Sequence, residues 1–312
     1  VGKSAAARER PVRKLSALPV VDADPERGRP PSIDRTAKLY IGGKQARPDS
    51  GCSFSVLDKA GHSIGQAGVG SRKDIRNAVE AAGKAGAWSG ASAHNRAQVL
   101  YFIAENLSAR AGEFGARLVA MTGVAAKAAA EEVAAAIRRI FWYAAQADKF
   151  DGAVHSTRAR HVTLAMNEPW GTIGIVCPEE APLLAFVSLV MPAIAMGNRV
   201  VVVPSPPHPL AATDFYQVLE TSDVPVGVVN IVTGERDALA KVLAEHDDVA
   251  AVWYFGSVTG SAAVERASIG NLKATWVDDG RPRRWLVDAE ARGREFLRRA
   301  SQVKNIWIPY GE

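Results

Sequence analysis

Sulfur is scarce in this chain: two cysteines, Cys52 and Cys177, occur in 312 residues. Two thiols cannot make a disulfide framework or a four-cysteine metal site, and their scarcity points to a reducing, cytoplasmic compartment. Histidine is also rare, at six residues, and His208 has no second His or carboxylate at a spacing that suggests a metal site or a triad. His208 stands alone and is read as a loop residue without a role. GxGxxG and GxxxxGK[ST] phosphate loops are both absent. So is a charged-then-apolar leader, and the chain opens on Val1 rather than Met, which is read as processing or as a piece of a longer polypeptide.

The one long apolar run, APLLAFVSLVMPAIAMG (181–197), approaches bilayer-spanning length without a charge. Pro192 interrupts it, Asn198 and Arg199 close it, and another apolar run follows at once. A buried helix running into a buried strand is the expectation, with no membrane contact. Net charge is only +5. The Arg-rich stretches near both ends read as solvated faces, and no aromatic-basic interleaving marks a nucleic-acid binder.

What is present suits a globular chain able to bury a core: 47% apolar and 23% charged residues. Residues 1–36 are rich in Pro, Arg and Asp and read as a linker or arm. KLYIGGKQ (38–45), SFSVLD (53–58) and HSIGQAGVG (62–70) predict a small antiparallel element with a turn at Gly42-Gly43. Helices are expected to about residue 150, Ser92 capping one of them. HVTLAM (161–166) predicts a half-polar strand. GTIGIVC (171–177), RVVVVP (199–204), GVVNIV (227–232) and VAAVWYF (249–255) are continuous apolar runs. Helical segments at about 183–196, 209–221 and 236–246 separate them, which is the pattern of a parallel sheet covered on both faces.

Ligands on such sheets bind at the carboxyl ends of the strands. Three loops are therefore candidates: CPEEAP (177–182), VVPSPP (202–207) and FGSVTGS (255–261). Gly256 and Ser257 open a helix that is either an anion site or a plain turn capped by Ser257. Proline leaves VVPSPP few amide donors.

Taken together, EPWGTIGIVCP (168–178), MPAIAMGNRVVVVPS (191–205), VPVGVVNIVTG (224–234), NLK (271–273) and QVKNIWIPYGE (302–312) resemble the NAD(P)-dependent aldehyde dehydrogenase superfamily. The resemblance runs over about residues 37–312. It implies a Rossmann-like α/β domain over 37–280, with helices on both faces of the sheet. It further implies a flap hairpin near 151–169, then a C-terminal helix and oligomerisation strand over 281–312, the family's catalytic domain being missing.

The departures from the family pattern bear on chemistry. Glu180 stands where the family places an Asn that donates to the substrate oxyanion. A carboxylate there offers acceptors in place of a donor, and about 4 Å from an oxyanion it would cost about 4 kcal/mol at an effective dielectric near 20. Val203 and Pro206 replace the Lys and Glu that hold the adenosine ribose. Gly256 and Ser257 keep the opening of a later turn, whose closing Gly has become Ser261. Asp278 falls roughly at the general-base position. Neither cysteine lies where the family keeps its nucleophile.

The resulting expectation is that the chain is not an enzyme by itself. It resembles most the shortened, cysteine-less C-terminal domain of the tandem aldehyde dehydrogenase 16 group. No cofactor is expected in this domain, NAD being left open, and no metal. Its part would be structural: Val303, Ile306, Trp307 and Ile308 would pair with an aldehyde dehydrogenase catalytic domain of the same or another chain, within a homo-oligomer of the full-length protein. The alternative is an NAD(P)-binding oxidoreductase with residual or different activity. Glu179 and Glu180 are expected in the first turn of a helix, where negative charge stabilises by about 0.3–1 kcal/mol each.

Overall fold

TIGIV, RVVVV, VNI and AVWY are apolar at nearly every position, so as strands they must bury both faces. The computed structural model, which describes residues 36–309 except residue 159, places them side by side. The proposed arm at 1–36 thus lies outside the described residues but for Thr36. From one edge the main sheet runs Ala274–Val277, Ala251–Tyr254, Thr172–Val176, Arg199–Val203 and Val229–Ile231, all parallel. The hairpin of Leu39–Ile41 and Lys44–Ala46 continues it antiparallel.

The side-chain period of two is visible in the core. Val200 and Val202 pack on one face of the sheet, Val201 and Val203 on the other. The first face is covered by the helices Ala93–Ala109, Ala126–Gln146 and Pro182–Ala195, the second by Arg72–Lys84, Arg236–Glu245 and Val258–Ala267. Every residue of Pro182–Ala195 is buried, so the 181–197 run is a core helix. Among the described residues no helix is long and apolar enough to cross a membrane.

Three local expectations are corrected. The 39–46 hairpin belongs to the main sheet, while Ser53–Leu57 and Ser63–Gly68 form a separate small sheet with Thr36–Ala37. The hairpin turn needs φ of +59° and +69° at Gly42 and Gly43, the left-handed pair of a type I′ turn that suits glycine. Residues 209–221 break into two short helices, Leu210–Asp214 and Tyr216–Glu220, and the C-terminal helix is likewise two, Asp288–Ala291 and Arg294–Arg299. A third sheet stands apart: Ser301–Pro309, His161–Pro169 and Ala153–His155, antiparallel in that order.

Candidate functional site

After Thr172–Val176 the chain adds strands on one side of it, then returns to place Ala251–Tyr254 on the other. That reversal opens a crevice at the carboxyl ends of these two strands, where open α/β sheets bind ligands. The crevice holds about 320 Å³ and is lined by Glu179, Glu180, Arg236, Gly256, Ser257 and Asp278 among others. Four of the residues singled out from sequence therefore meet: Glu180, Asp278, Gly256 and Ser257. The other two do not line it. Val203 is wholly buried at its strand end, and Pro206 is half-buried in the next loop. That loop is latched by the Ser205 hydroxyl, which donates to the Glu179 carbonyl at 3.1 Å, with His208 Nδ1 3.4 Å from the same oxygen.

One ion pair joins the charged groups of the crevice. Arg236 pairs with Glu179 at 3.2 Å and lies 3.6 Å from Asp237. Asp237 in turn accepts from the Tyr254 hydroxyl at 2.6 Å. One oxygen of Asp278 accepts from the Gly256 and Gly280 amides at 3.1 and 3.2 Å. Burial nonetheless raises the pKa of Asp278 above the usual carboxylate range, the amides partly offset this, and nearby Glu180 adds to the rise. Ser257 caps the helix Val258–Ala267, accepting from the Gly260 amide at 3.0 Å. Cys177 is wholly buried, and burial pushes its thiol above the ordinary range, which disfavours a thiolate there. Cys52 is exposed in the loop just before the strand Ser53–Leu57.

Glu179 and Glu180 do not sit in a helix turn. They are exposed in the loop before the helix Pro182–Ala195, whose cap, Ala181, is left-handed at φ 47°. The anion at that helix start is Glu132, from the helix Ala126–Gln146. Its Oε1 accepts from the Leu183 and Leu184 amides at 3.0 and 3.1 Å. Pro182 has no N–H, and the Ala185 amide already bonds Ala181, so the helix start has no amide left for a ligand.

Burial raises the pKa of Glu132, the two amides offsetting it only in part. A carboxyl with a higher pKa folded than unfolded holds more protons in the native state above the ordinary Glu value. Stability therefore falls as pH rises through that window and is greatest below it. Glu132→Gln keeps an acceptor for both amides and removes the desolvated charge. We expect its urea midpoint to vary less between acid and neutral pH than the parent's. An unchanged profile would show that Glu132 ionises like an exposed acid.

A dinucleotide suits this lining poorly. Three carboxylates, Glu179, Glu180 and Asp278, face the crevice with two guanidiniums, Arg236 and Arg281, and Arg236 is already paired. The amide of Gly260 and the hydroxyl of Ser257 bond each other. Arg236, Glu132 and Tyr254 were invisible to sequence reasoning, since no motif marks them. Among the described residues no group of three or more His, Cys, Asp or Glu is placed to hold a metal ion.

A doubly wound parallel sheet with a reversal crevice and a separate three-stranded sheet defines the class: a Rossmann-like α/β fold. The sequence profile of the aldehyde dehydrogenase family matches residues 47–302, and the chain belongs to that family. It is 30% identical over 249 residues to the NADP/NAD-dependent aldehyde dehydrogenase PuuC of Escherichia coli, covering 78% of this chain and 50% of that protein. It is 30% identical over 269 residues to a mitochondrial benzaldehyde dehydrogenase of Antirrhinum majus, covering 84% and 50%. Among solved structures, an NAD-dependent aldehyde dehydrogenase of Sinorhizobium meliloti superposes with TM-score 0.75 at 26% identity, over 79% of this chain and 50% of that one.

The chain thus spans about half the length of these relatives. The comparisons correct the expectation that it is not an enzyme. That expectation rested on departures from the family pattern and a missing thiol, whereas the relatives the chain matches are named as aldehyde dehydrogenases, which places it in an oxidoreductase family.

Proposed function

We propose that this chain is the sheet-and-flap portion of an aldehyde dehydrogenase and contributes architecture to it. In this reading its C-terminal strand extends the sheet of an aldehyde dehydrogenase catalytic unit, in the same polypeptide or another, in the manner of the tandem aldehyde dehydrogenase 16 group. Aldehydes are the substrate class of the whole.

The observation that carries the reading is the strand Ser301–Pro309. It pairs with His161–Pro169 over nine positions and forms the outer edge of its sheet. Alternate residues of a strand face opposite ways, and apolar side chains are exposed on both faces: Val303 and Trp307 on one, Ile308 with half-buried Ile306 on the other. Val154 and Met166 on the neighbouring strands are exposed too. A projecting sheet with two apolar faces and an open edge is a liability unless something covers it, and strand addition covers the edge and both faces at once.

The test is deletion of Gln302–Glu312 from the polypeptide, followed by sedimentation velocity. We expect loss of the assembled species with the remaining fold intact by circular dichroism. A truncated protein that sediments like the parent would sink the reading. The double variant Trp307→Lys/Ile308→Lys, which keeps the strand's backbone, should weaken assembly in the same direction.

A further inference from the structure

Among the described residues the main sheet has an open edge of its own, distinct from that of the flap strand. Ala274–Val277 is the last strand of the main sheet, pairing with Ala251–Tyr254 on one side only. The Ala274 amide donates inward to the Ala250 carbonyl at 3.2 Å, and the Asp278 amide to the Tyr254 carbonyl at 3.3 Å. Parallel pairing alternates, so the amides and carbonyls of Thr275 and Val277 point outward. They have no backbone partner among the described residues.

Beside this edge lies a cavity of about 590 Å³, lined by Trp170, Trp253, Ala274, Thr275, Trp276, Glu295, Arg298 and Arg299. Arg298 and Arg299 are exposed, and neither has an ion pair among the described residues. Arg299 lies 5.5 Å from the Trp276 ring centre, and Trp170 Nε1 donates to the Arg299 carbonyl at 3.1 Å. The one carboxylate in the lining, Glu295, lies 3.9 Å from Arg283. The cavity therefore offers aromatic faces and two uncompensated guanidiniums next to a row of outward backbone groups.

We propose that this edge receives an extended acidic segment of another polypeptide as an added strand, alternate side chains of which enter the cavity beside Arg298 and Arg299. Backbone bonds to Thr275 and Val277 set the register, as in other strand-addition sites. The guanidiniums select carboxylates, bidentate geometry being available to each. The cavity adjoins the flap, since Trp170 follows His161–Pro169 and Arg298 and Arg299 precede Ser301–Pro309, but the added strand would pair with Thr275 and Val277 and not with the flap strand.

The experiment uses the full chain and the blocked hexapeptide Ac-EVEVEV-amide, followed by tryptophan fluorescence and calorimetry. Saturable binding is expected, with slower amide exchange at Thr275 and Val277. Arg298→Ala/Arg299→Ala should weaken it by at least about tenfold. N-methylating alternate residues should abolish binding for one of the two alternating sets and spare it for the other, because only one set of amides faces the edge. No saturable binding, equal binding of the lysine counterpart Ac-KVKVKV-amide, or indifference to N-methylation of either set would overturn the proposal.

Discussion

Trp253→Ala is expected to destabilise the fold by about 3–5 kcal/mol, the cost of truncating a large buried aromatic. Trp253 is 1% exposed and lies in the strand between Thr172–Val176 and Ala274–Val277. Its ring meets Trp276 edge-on at 5.1 Å, and Trp276 meets Phe255 and Phe296 in the same way, each at 5.1 Å. The deletion therefore opens a hole beneath a chain of T-shaped contacts, each worth about 0.5–1.5 kcal/mol beyond its buried area. Much of the total stability of an ordinary domain is at stake. Urea unfolding at fixed pH should show the midpoint falling with little change in slope. A loss under about 1 kcal/mol would contradict the placement of this ring in the core.

The second large effect is expected at a glycine. Gly260 lies in the first turn of the helix Val258–Ala267, and a Cβ there would overlap the Tyr254 ring and hydroxyl. Gly256 leaves little more room: a Cβ on it would lie 2.7 Å from the same hydroxyl. Tyr254 cannot simply move, because its hydroxyl is held by Asp237 and its ring is wholly buried. Gly260→Ala should therefore cost about 3 kcal/mol, at the upper end of overpacking penalties. Tyr254→Val removes the ring. Combined with Gly260→Ala, it should cost clearly less than the sum of the two single changes, and the double-mutant cycle measures that coupling. Additive losses would mean that helix and ring do not touch.

These contacts show why the crevice differs from a nucleotide cradle. Turn, cap and first helical turn close on the protein's own groups: Tyr254 fills the space under Gly256 and Gly260, Ser257 uses the Gly260 amide, and Glu179 engages Arg236. At the neighbouring helix start, Glu132 takes the amides of Leu183 and Leu184. The raised pKa values of Glu132 and Asp278 have the same first cause, carboxyl groups drawn out of water.

The parallel strands, the order of helix and strand along the chain and the buried nature of 182–195 were legible from the amino-acid sequence, because each is a local apolar pattern. So were the caps Ser92 and Ser257 and the Gly42-Gly43 turn, which depend on residues within three or four of each other. The crevice was half legible. Glu180, Gly256 and Ser257 lie in loops that the strand-end rule picked out, while Asp278 was named only through the resemblance to the aldehyde dehydrogenase family. The burial of Val203 was not legible, because a strand's last residue belongs to the core or to the loop according to the sheet's twist and cover, which the sequence does not state.

What only the tertiary structure decided are the pairings between residues distant in sequence. Glu132 reaches a helix start 51 residues away, and Arg236 reaches Glu179 across 57. Tyr254 rests on a glycine of the following helix. Charge and size at single positions do not reveal a partner. The partner is chosen when strands separated in the chain become neighbours, and until then each carboxylate reads as an exposed acid and each glycine as a loop residue.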